Sequence, residues 1–236
     1  MATEEIFRED AYATSCEASV LSAEESGIVL DRTVFYPLGG GQAGDTGTLR
    51  WDGGETAVAD TRKGEAPGEI LHIPAAGAAL PAPGTKVTAE IDWARRHRLM
   101  RLHTCLHLLC ALIEGDVTGG SISDGKARLD FNLPDTRLDK AAITAELNRL
   151  VEEDHPAEPR WITEQELEAN PGLVRTMSVK PPMGSGRVRV LDIAGVDLQP
   201  CGGTHVRRTG EIGKVAVTKI ENKGRQNRRV NIAFAD

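Results

Sequence analysis

Asp92-Trp93-Ala94-Arg95-Arg96-His97-Arg98-Leu99-Met100-Arg101-Leu102-His103-Thr104-Cys105-Leu106-His107 is the stretch where the chain changes character. Asp92 can accept the unpaired N–H groups of a first helical turn, and neither Gly nor Pro interrupts the residues that follow to about 114, so one long helix is predicted. The residues before it read differently. They are rich in Gly and Pro and carry short runs of strand character at 20–21, 27–31, 33–36, 47–51, 57–61, 70–73 and 86–91, with an Ala/Pro/Gly loop at 75–84. Many short strands at this spacing predict a small Gly-rich β-barrel. The boundary is expected near Asp92, with a barrel domain over 1–91 and a second domain over 92–236.

Past the long helix the pattern predicts a strand pair at 120–123 and 127–131, a helix from 139 to about 154, a strand at 159–162 and a short helix at 164–169. Strands follow at 188–193, 212–220 and 229–234. Helices set against an antiparallel or mixed sheet make the second domain, and the whole chain, α+β. With 40% hydrophobic and 27% charged residues the composition is that of a globular protein, and no apolar run approaches the roughly 20 residues of a membrane helix. The first residues lack the apolar core of a signal peptide. Cysteines 16, 105, 110 and 201 are too few and too scattered for a disulfide framework and form no CxxC, so a reducing, cytoplasmic setting without a membrane partner is expected. The net charge of -7 conceals an asymmetry. Residues 207–236 hold eight Lys or Arg against three Asp or Glu, a basic end to an acidic chain.

Within the long helix, His103 and His107 are four residues and about 400° apart, so both imidazoles lie on one face, one turn from each other. Such a pair alone is a weak signal. Far downstream, Pro200-Cys201-Gly202-Gly203-Thr204-His205 offers a thiolate and a third imidazole on a backbone that two glycines let turn sharply. Three His and one Cys suit a tetrahedral zinc ion. The plain alternative, a glycine turn beside a buried Cys with unrelated histidines, stays open at this point. Cys105, about 200° from each helix His, is expected in the core, and His72, His97 and His155 lack partners at useful spacing. Zinc peptidases carry Glu after the first His as general base. Thr104 stands there, which argues against peptide hydrolysis and leaves an already activated ester as the easier substrate.

These two pairs, with Cys201 and His205 inside Cys-Gly-Gly-Thr-His, together with Thr33-Val-Phe-Tyr-Pro-Leu-Gly-Gly-Gly-Gln-Ala-Gly-Asp-Thr-Gly47, resemble the AlaX-type alanyl-tRNA trans-editing proteins. Those are stand-alone relatives of the alanyl-tRNA synthetase editing domain. The resemblance runs over nearly the whole chain, with the three motifs in the family's order. It implies a small N-terminal barrel followed by a zinc-containing α/β editing core. It also implies hydrolysis of the ester that joins serine, with glycine as a second substrate, to alanine-specific tRNA. The 236 residues are too few to include an aminoacylation domain as well. One Zn2+ per chain would be held by His103, His107, Cys201 and His205. With four protein ligands the ion has no open position, so Cys201 is expected to be distant or displaceable. Either the ion positions the aminoacyl group or it activates water, with backbone N–H groups stabilising the oxyanion. Gln42 and Asp45 would face the aminoacyl end, and Ser121, Gly202, Gly203 and Thr204 would complete the catalytic and substrate-binding set. Ser121 stands where relatives often have Gln, and Leu106 where synthetase editing domains often have Thr. Thr118, Ser121 and Ser123 are therefore the candidate readers of a serine hydroxyl.

Arg95, Arg96, Arg98 and Arg101 crowd the helix before His103, and Arg207, Arg208, Lys219 and Arg228 lie in the basic end, so together they could line a phosphate channel for tRNA. A solvated charged face is the alternative. With 4% aromatic residues, base stacking is not expected to be the chief mode of recognition. Gly39-Gly40-Gly41-Gln42 matches neither phosphate-loop pattern, so no nucleotide cofactor is expected. Two other functional classes remain. One is a non-catalytic zinc-stabilised RNA-binding module, for which the same residues suffice. The other is a zinc hydrolase of small esters or amides.

Overall fold

The computed structural model describes residues 2–134, 137–177, 184 and 186–235. It contains two compact units, Met1–His97 and Arg98–Asp236. The first contains β1 (Glu4–Glu5), β2 (Ser15–Glu24), β3 (Gly27–Leu30), β4 (Arg32–Thr33), β5 (Gly47–Trp51), β6 (Gly54–Lys63), β7 (Ile70–Pro74) and β8 (Lys86–Ile91). Six of these close into a barrel in the order β2-β3-β7-β6-β5-β8, while β1 and β4 form a short parallel pair. Alternation drives the closure. Val87, Ala89 and Ile91 of β8 point inward to meet Val20, Ile28, Leu30, Leu49 and Val58, and register shifts at Val20/Ser22 and Val58/Asp60 bend the long strands around this core.

Residues 34–36, expected as strand, are buried but unpaired with any neighbouring strand. The Phe35 N–H goes to Thr33 Oγ1 (3.0 Å) and the Tyr36 N–H to Asp45 Oδ2 (2.7 Å), so side chains take the place of a ladder. Asp45 also receives Arg96, whose Nε lies 3.0 and 2.9 Å from its two carboxylate oxygens and whose Nη groups reach the carbonyls of Ala11 and Val34. Both side chains are at most 1% exposed. A second buried polar link is His72. It donates from Nδ1 to Ile28 O (2.9 Å) and accepts at Nε2 from Thr33 Oγ1 (2.8 Å).

α1 (Trp93–Leu112) begins in the first unit and continues into the second. Asp92 Oδ1 accepts the Arg95 N–H at 3.0 Å, as an N-cap does. Residues 102–110 are buried on every side, so this is a central helix rather than an amphipathic surface one. The second unit continues with β9 (Asp116–Ser123), β10 (Lys126–Asn132), α2 (Lys140–Glu152), β11 (Ala157–Thr163), α3 (Glu164–Ala169), β12 (Arg187–Ile193), β13 (Asp197–Pro200), β14 (Val215–Lys223) and β15 (Asn227–Phe234). Two sheets result, β14-β15-β10-β9 and β11-β12-β13. Asp139 caps α2 by accepting from Ala141 and Ala142, and Asn148 on α2 exchanges hydrogen bonds with both backbone groups of Val215 on the sheet's edge strand. The strand expected from 212 starts at Val215, because Thr209–Ile212 coils into a 3-10 turn that ends at Gly213 with φ +69°. β13 carries no pattern that predicted it.

Asp45→Ala would leave the Arg96 guanidinium charged, buried and without its carboxylate. The expected loss is about 3–5 kcal/mol in urea unfolding, an effect on stability before any on activity. Burial holds the His72 imidazole down at about 4, against an ordinary value of 6.5. Above pH 6.5 the group contributes no pH dependence. As pH falls from 6.5 toward 4 the unfolded chain takes up a proton that the folded barrel refuses, so stability should drop by about 3 kcal/mol. Denaturation midpoints of wild type and His72→Gln over that range should converge as the pH falls; parallel curves would refute the assignment.

Candidate metal centre

α1 presents His103 and His107 one turn apart, and the loop after β13 brings Cys201 and His205 to them. One donor atom from each of the four lies within 4.8 Å of every other. Cys201 Sγ is 3.1 Å from His205 Nε2 and 3.6 Å from His103 Nε2, and the ring centroids of His103 and His205 are 4.4 Å apart. The three imidazoles are buried, whereas Cys201 is half-buried on the open side.

Neighbouring residues fix which nitrogen the His107 and His205 rings offer. Asp197 Oδ2 lies 2.9 Å from His107 Nδ1 and is itself steadied by Gln199 Nε2 at 2.8 Å, so Nε2 of His107 is left for the ion. Thr104 Oγ1 lies 3.2 Å from His205 Nδ1 and receives the Val206 N–H, which commits His205 in the same sense. Arg189 on β12 donates to the carbonyls of Cys201 and Gly203, both at 2.9 Å, and so pins the loop. Asp197 stands four residues before Cys201 in the sequence, whereas Asp192 pairs with Arg160. Arg189 and the ring contact of Thr104 gave no sequence signal.

The charge state matches the geometry. Burial disfavours the Cys201 thiolate, yet the imidazoles around it outweigh that and hold the thiol well below its ordinary range. Burial pushes His205 down to about 3, so its ring is neutral. Burial also works against a charged His107, but hydrogen bonds to Asp197 and Cys201 turn the balance and carry it up to about 10. Cys105 and Cys110, buried without such company, are pushed up to about 12 and remain inert thiols. A thiolate and three imidazoles converging on one point fit a divalent ion of borderline softness, which would bind in exchange for the proton that His107 otherwise holds.

Asp45, expected at the aminoacyl end, is engaged by Arg96 and the Tyr36 N–H, and Arg96, expected in a phosphate channel, is fully buried; in the folded chain both are internal supports of the barrel unit. Gln42 is buried too, and its backbone closes the glycine turn through reciprocal bonds with Gly39 at 2.9 and 3.1 Å; Gly40 and Gly41 have positive φ, which that turn requires. Ser121 stands opposite Arg128 in the β9–β10 ladder. Gly202 is exposed, Gly203 and Thr204 are buried, and the Gly203 N–H points to the Cys201 sulfur at 3.4 Å. Arg95 donates to Gly44 O, Arg98 pairs with Asp124, and Arg101 donates to Ile212 O while lying over the Phe234 ring. Arg207 is exposed, Arg208 pairs with Asp154, Lys219 pairs with Glu221, and Arg228 is half-buried. No helix among the described residues is long and apolar enough to cross a membrane.

Residues 188–231 match the model of the threonyl and alanyl tRNA synthetase second additional domain, and residues 5–95 match that of class II (A) tRNA synthetases. The chain is 37% identical over 235 residues to the alanyl-tRNA editing protein AlaX-M of Saccharolobus solfataricus, covering 97% of both chains. It is 34% identical to the AlaX-M protein of Methanosarcina acetivorans, covering 99% of this chain and 100% of that one. It is also 37% identical to the alanine–tRNA ligase of Pyrobaculum neutrophilum, where 93% of this chain matches 25% of the ligase.

Atomic absorption on protein dialysed against a divalent transition metal should find one ion per chain, lost in His103→Ala. Asp197→Ala removes no donor but frees the His107 ring, so affinity should fall about 10- to 100-fold with stoichiometry intact.

Proposed function

The chain belongs to the AlaX-type alanyl-tRNA editing proteins, and on that premise we propose that it hydrolyses the ester of mischarged alanine tRNA, Ser-tRNA(Ala) first and Gly-tRNA(Ala) second, with one zinc ion per chain. The observation that carries this reading is the convergence of His103, His107, Cys201 and His205 donor atoms within 4.8 Å of one another. Such an activity answers a physical need. A pocket made for alanine rejects a substrate that merely adds a hydroxyl only about 100-fold, whereas a second site that hydrogen-bonds the hydroxyl can reject the analogue lacking it far more strongly.

Zinc, when bound, supplies a Lewis acid and a fixed positive charge beside the ester. The protein's own residues do the rest. Asp197 and Thr104 hold the rings of His107 and His205 so that Nε2 faces the site. Thr104 cannot serve as a strong base where peptidases have Glu, which suits an ester rather than an amide. Cys201, on the open side, is the ligand best placed to give way. The Gly203 N–H is engaged with sulfur, so the exposed Gly202 N–H is assigned to the oxyanion. On β9 the Thr118 and Ser123 hydroxyls donate to the carbonyls of Asp130 and Lys126. Among the described residues Ser121 makes no such bond, and it is assigned to read the serine hydroxyl. Of the basic residues, Arg98, Arg207, Arg208 and Lys219 are the phosphate contacts, and Arg96 is not one of them.

Purified, zinc-loaded protein should deacylate Ser- and Gly-charged alanine tRNA and spare Ala-tRNA(Ala). A folded His103→Ala variant should lose at least about a hundredfold in kcat/KM. Failure to release any of the three amino acids would leave the non-catalytic RNA-binding module in its place. Activity that survives full chelation would remove zinc from the chemistry.

A further inference from the structure

Among the described residues four large apolar side chains are exposed, and Trp161 is the aromatic one, at 39%. It lies on β11, an edge strand exposed along nearly its whole length, so no core requires a tryptophan there. The Arg187 guanidinium sits over the ring, 4.2 Å from its centroid. Arg160, the next residue back, turns to the other face and pairs with Asp192.

Two connections give this pair a place. In the β11–β12 ladder Trp161 stands directly opposite Arg189, so both project from the same sheet face. Arg189 is the residue that pins the carbonyls of Cys201 and Gly203. One rung of sheet therefore separates the exposed ring from the loop that carries two of the four metal donors. At the start of β11 the Ala157 N–H donates to Arg207 O at 2.8 Å, and Pro156 bridges to Arg208. Trp161 is four residues further along, about 13 Å at the rise of an extended strand. The strand thus runs from two arginines to an aromatic face backed by a third.

We propose that Trp161, with Arg187, is the platform on which the unpaired base at the 3′ end of the tRNA stacks, presenting the aminoacyl ester to the donor cluster. Every base has a face to stack, and a guanidinium beside the ring adds attraction for the base and its phosphate. Low aromatic content leaves room for this, since one exposed ring at the right place suffices. The assignment rests on the editing reading above.

Full-length, zinc-loaded wild type, Trp161→Ala, Trp161→Phe and Arg187→Gln would be compared in two assays. In deacylation of Ser-tRNA(Ala), Trp161→Ala should raise KM about ten- to a hundredfold with kcat within about twofold, and Phe should restore most of the loss. In direct binding of uncharged tRNA, removing the unpaired 3′ nucleotides should weaken wild type by a similar factor and leave Trp161→Ala unaffected. A KM for Trp161→Ala within twofold of wild type, or equal sensitivity of both proteins to 3′ trimming, would overturn the platform while the editing activity stands. If wild type turns over no ester but still distinguishes intact from trimmed tRNA through Trp161, the platform holds and the editing reading fails. Should the Ala variant not fold, Trp161→Leu, which keeps an apolar side chain but no ring, and Arg187→Gln carry the same two readouts.

Discussion

Four electron-rich donor atoms drawn to one buried point are a constraint around which much of the second unit is arranged. Gathering three imidazole lone pairs and a thiolate out of water is unfavourable until a cation joins them. Each neighbour of the cluster serves that geometry. Asp197 and Thr104 turn two rings the right way, Gln199 steadies Asp197, and Arg189 ties down the loop through its carbonyls. α1 supplies the first two donors from its stretch 102–110, which is buried on every side and so cannot turn to move them. β13 supplies both Asp197, at its first residue, and the approach to Cys201.

The barrel handles buried charge in the opposite way, and the contrast is informative. Arg96 and Asp45 cancel each other, and the remaining donors and acceptors are taken up by the carbonyls of Ala11 and Val34 and the N–H of Tyr36. His72 is neutral and bonded at both nitrogens. Nothing in that network points outward to a ligand. The donor cluster, by comparison, satisfies the outer nitrogens of His107 and His205 and leaves the inner ones facing the other donors. Buried polar groups that close on themselves are structural, whereas buried groups that converge with lone pairs to spare are prepared for something the protein does not itself contain.

The strands of the barrel, the long helix and the two ligand pairs were legible in the sequence because each rests on local periodicity or spacing. Two kinds of feature were not. Residues 34–36 look like a strand but pair through side chains, and only the folded chain brings Asp45 to them. Arg96 looks like its neighbours Arg95 and Arg98 on a basic helix, yet position on the helix turn puts it inside and them nearer the surface. Charge type is visible in a sequence; which side of a helix its own unit buries is not. Arg189 was hidden for a related reason, since β-strand alternation is broken where nearly all of β12 is buried.

On the proposed editing reading, selectivity and chemistry divide within the second unit. The donor cluster and its supports would be indifferent to the side chain of the amino acid, for they would address an ester common to every aminoacyl-tRNA. Thr104, in place of a strong base, would limit that centre to an activated bond without ranking amino acids. Discrimination of serine from alanine would then have to reside in groups outside the cluster, where a hydroxyl finds a partner and a methyl leaves one unsatisfied. β9 offers such groups in a row, two of them already engaged with backbone carbonyls. Ser121 has a short side chain, so a hydroxyl read there would have to come close to the strand. A short reader would in turn demand exact placement of the tRNA end, which is the part proposed for the surface along β11.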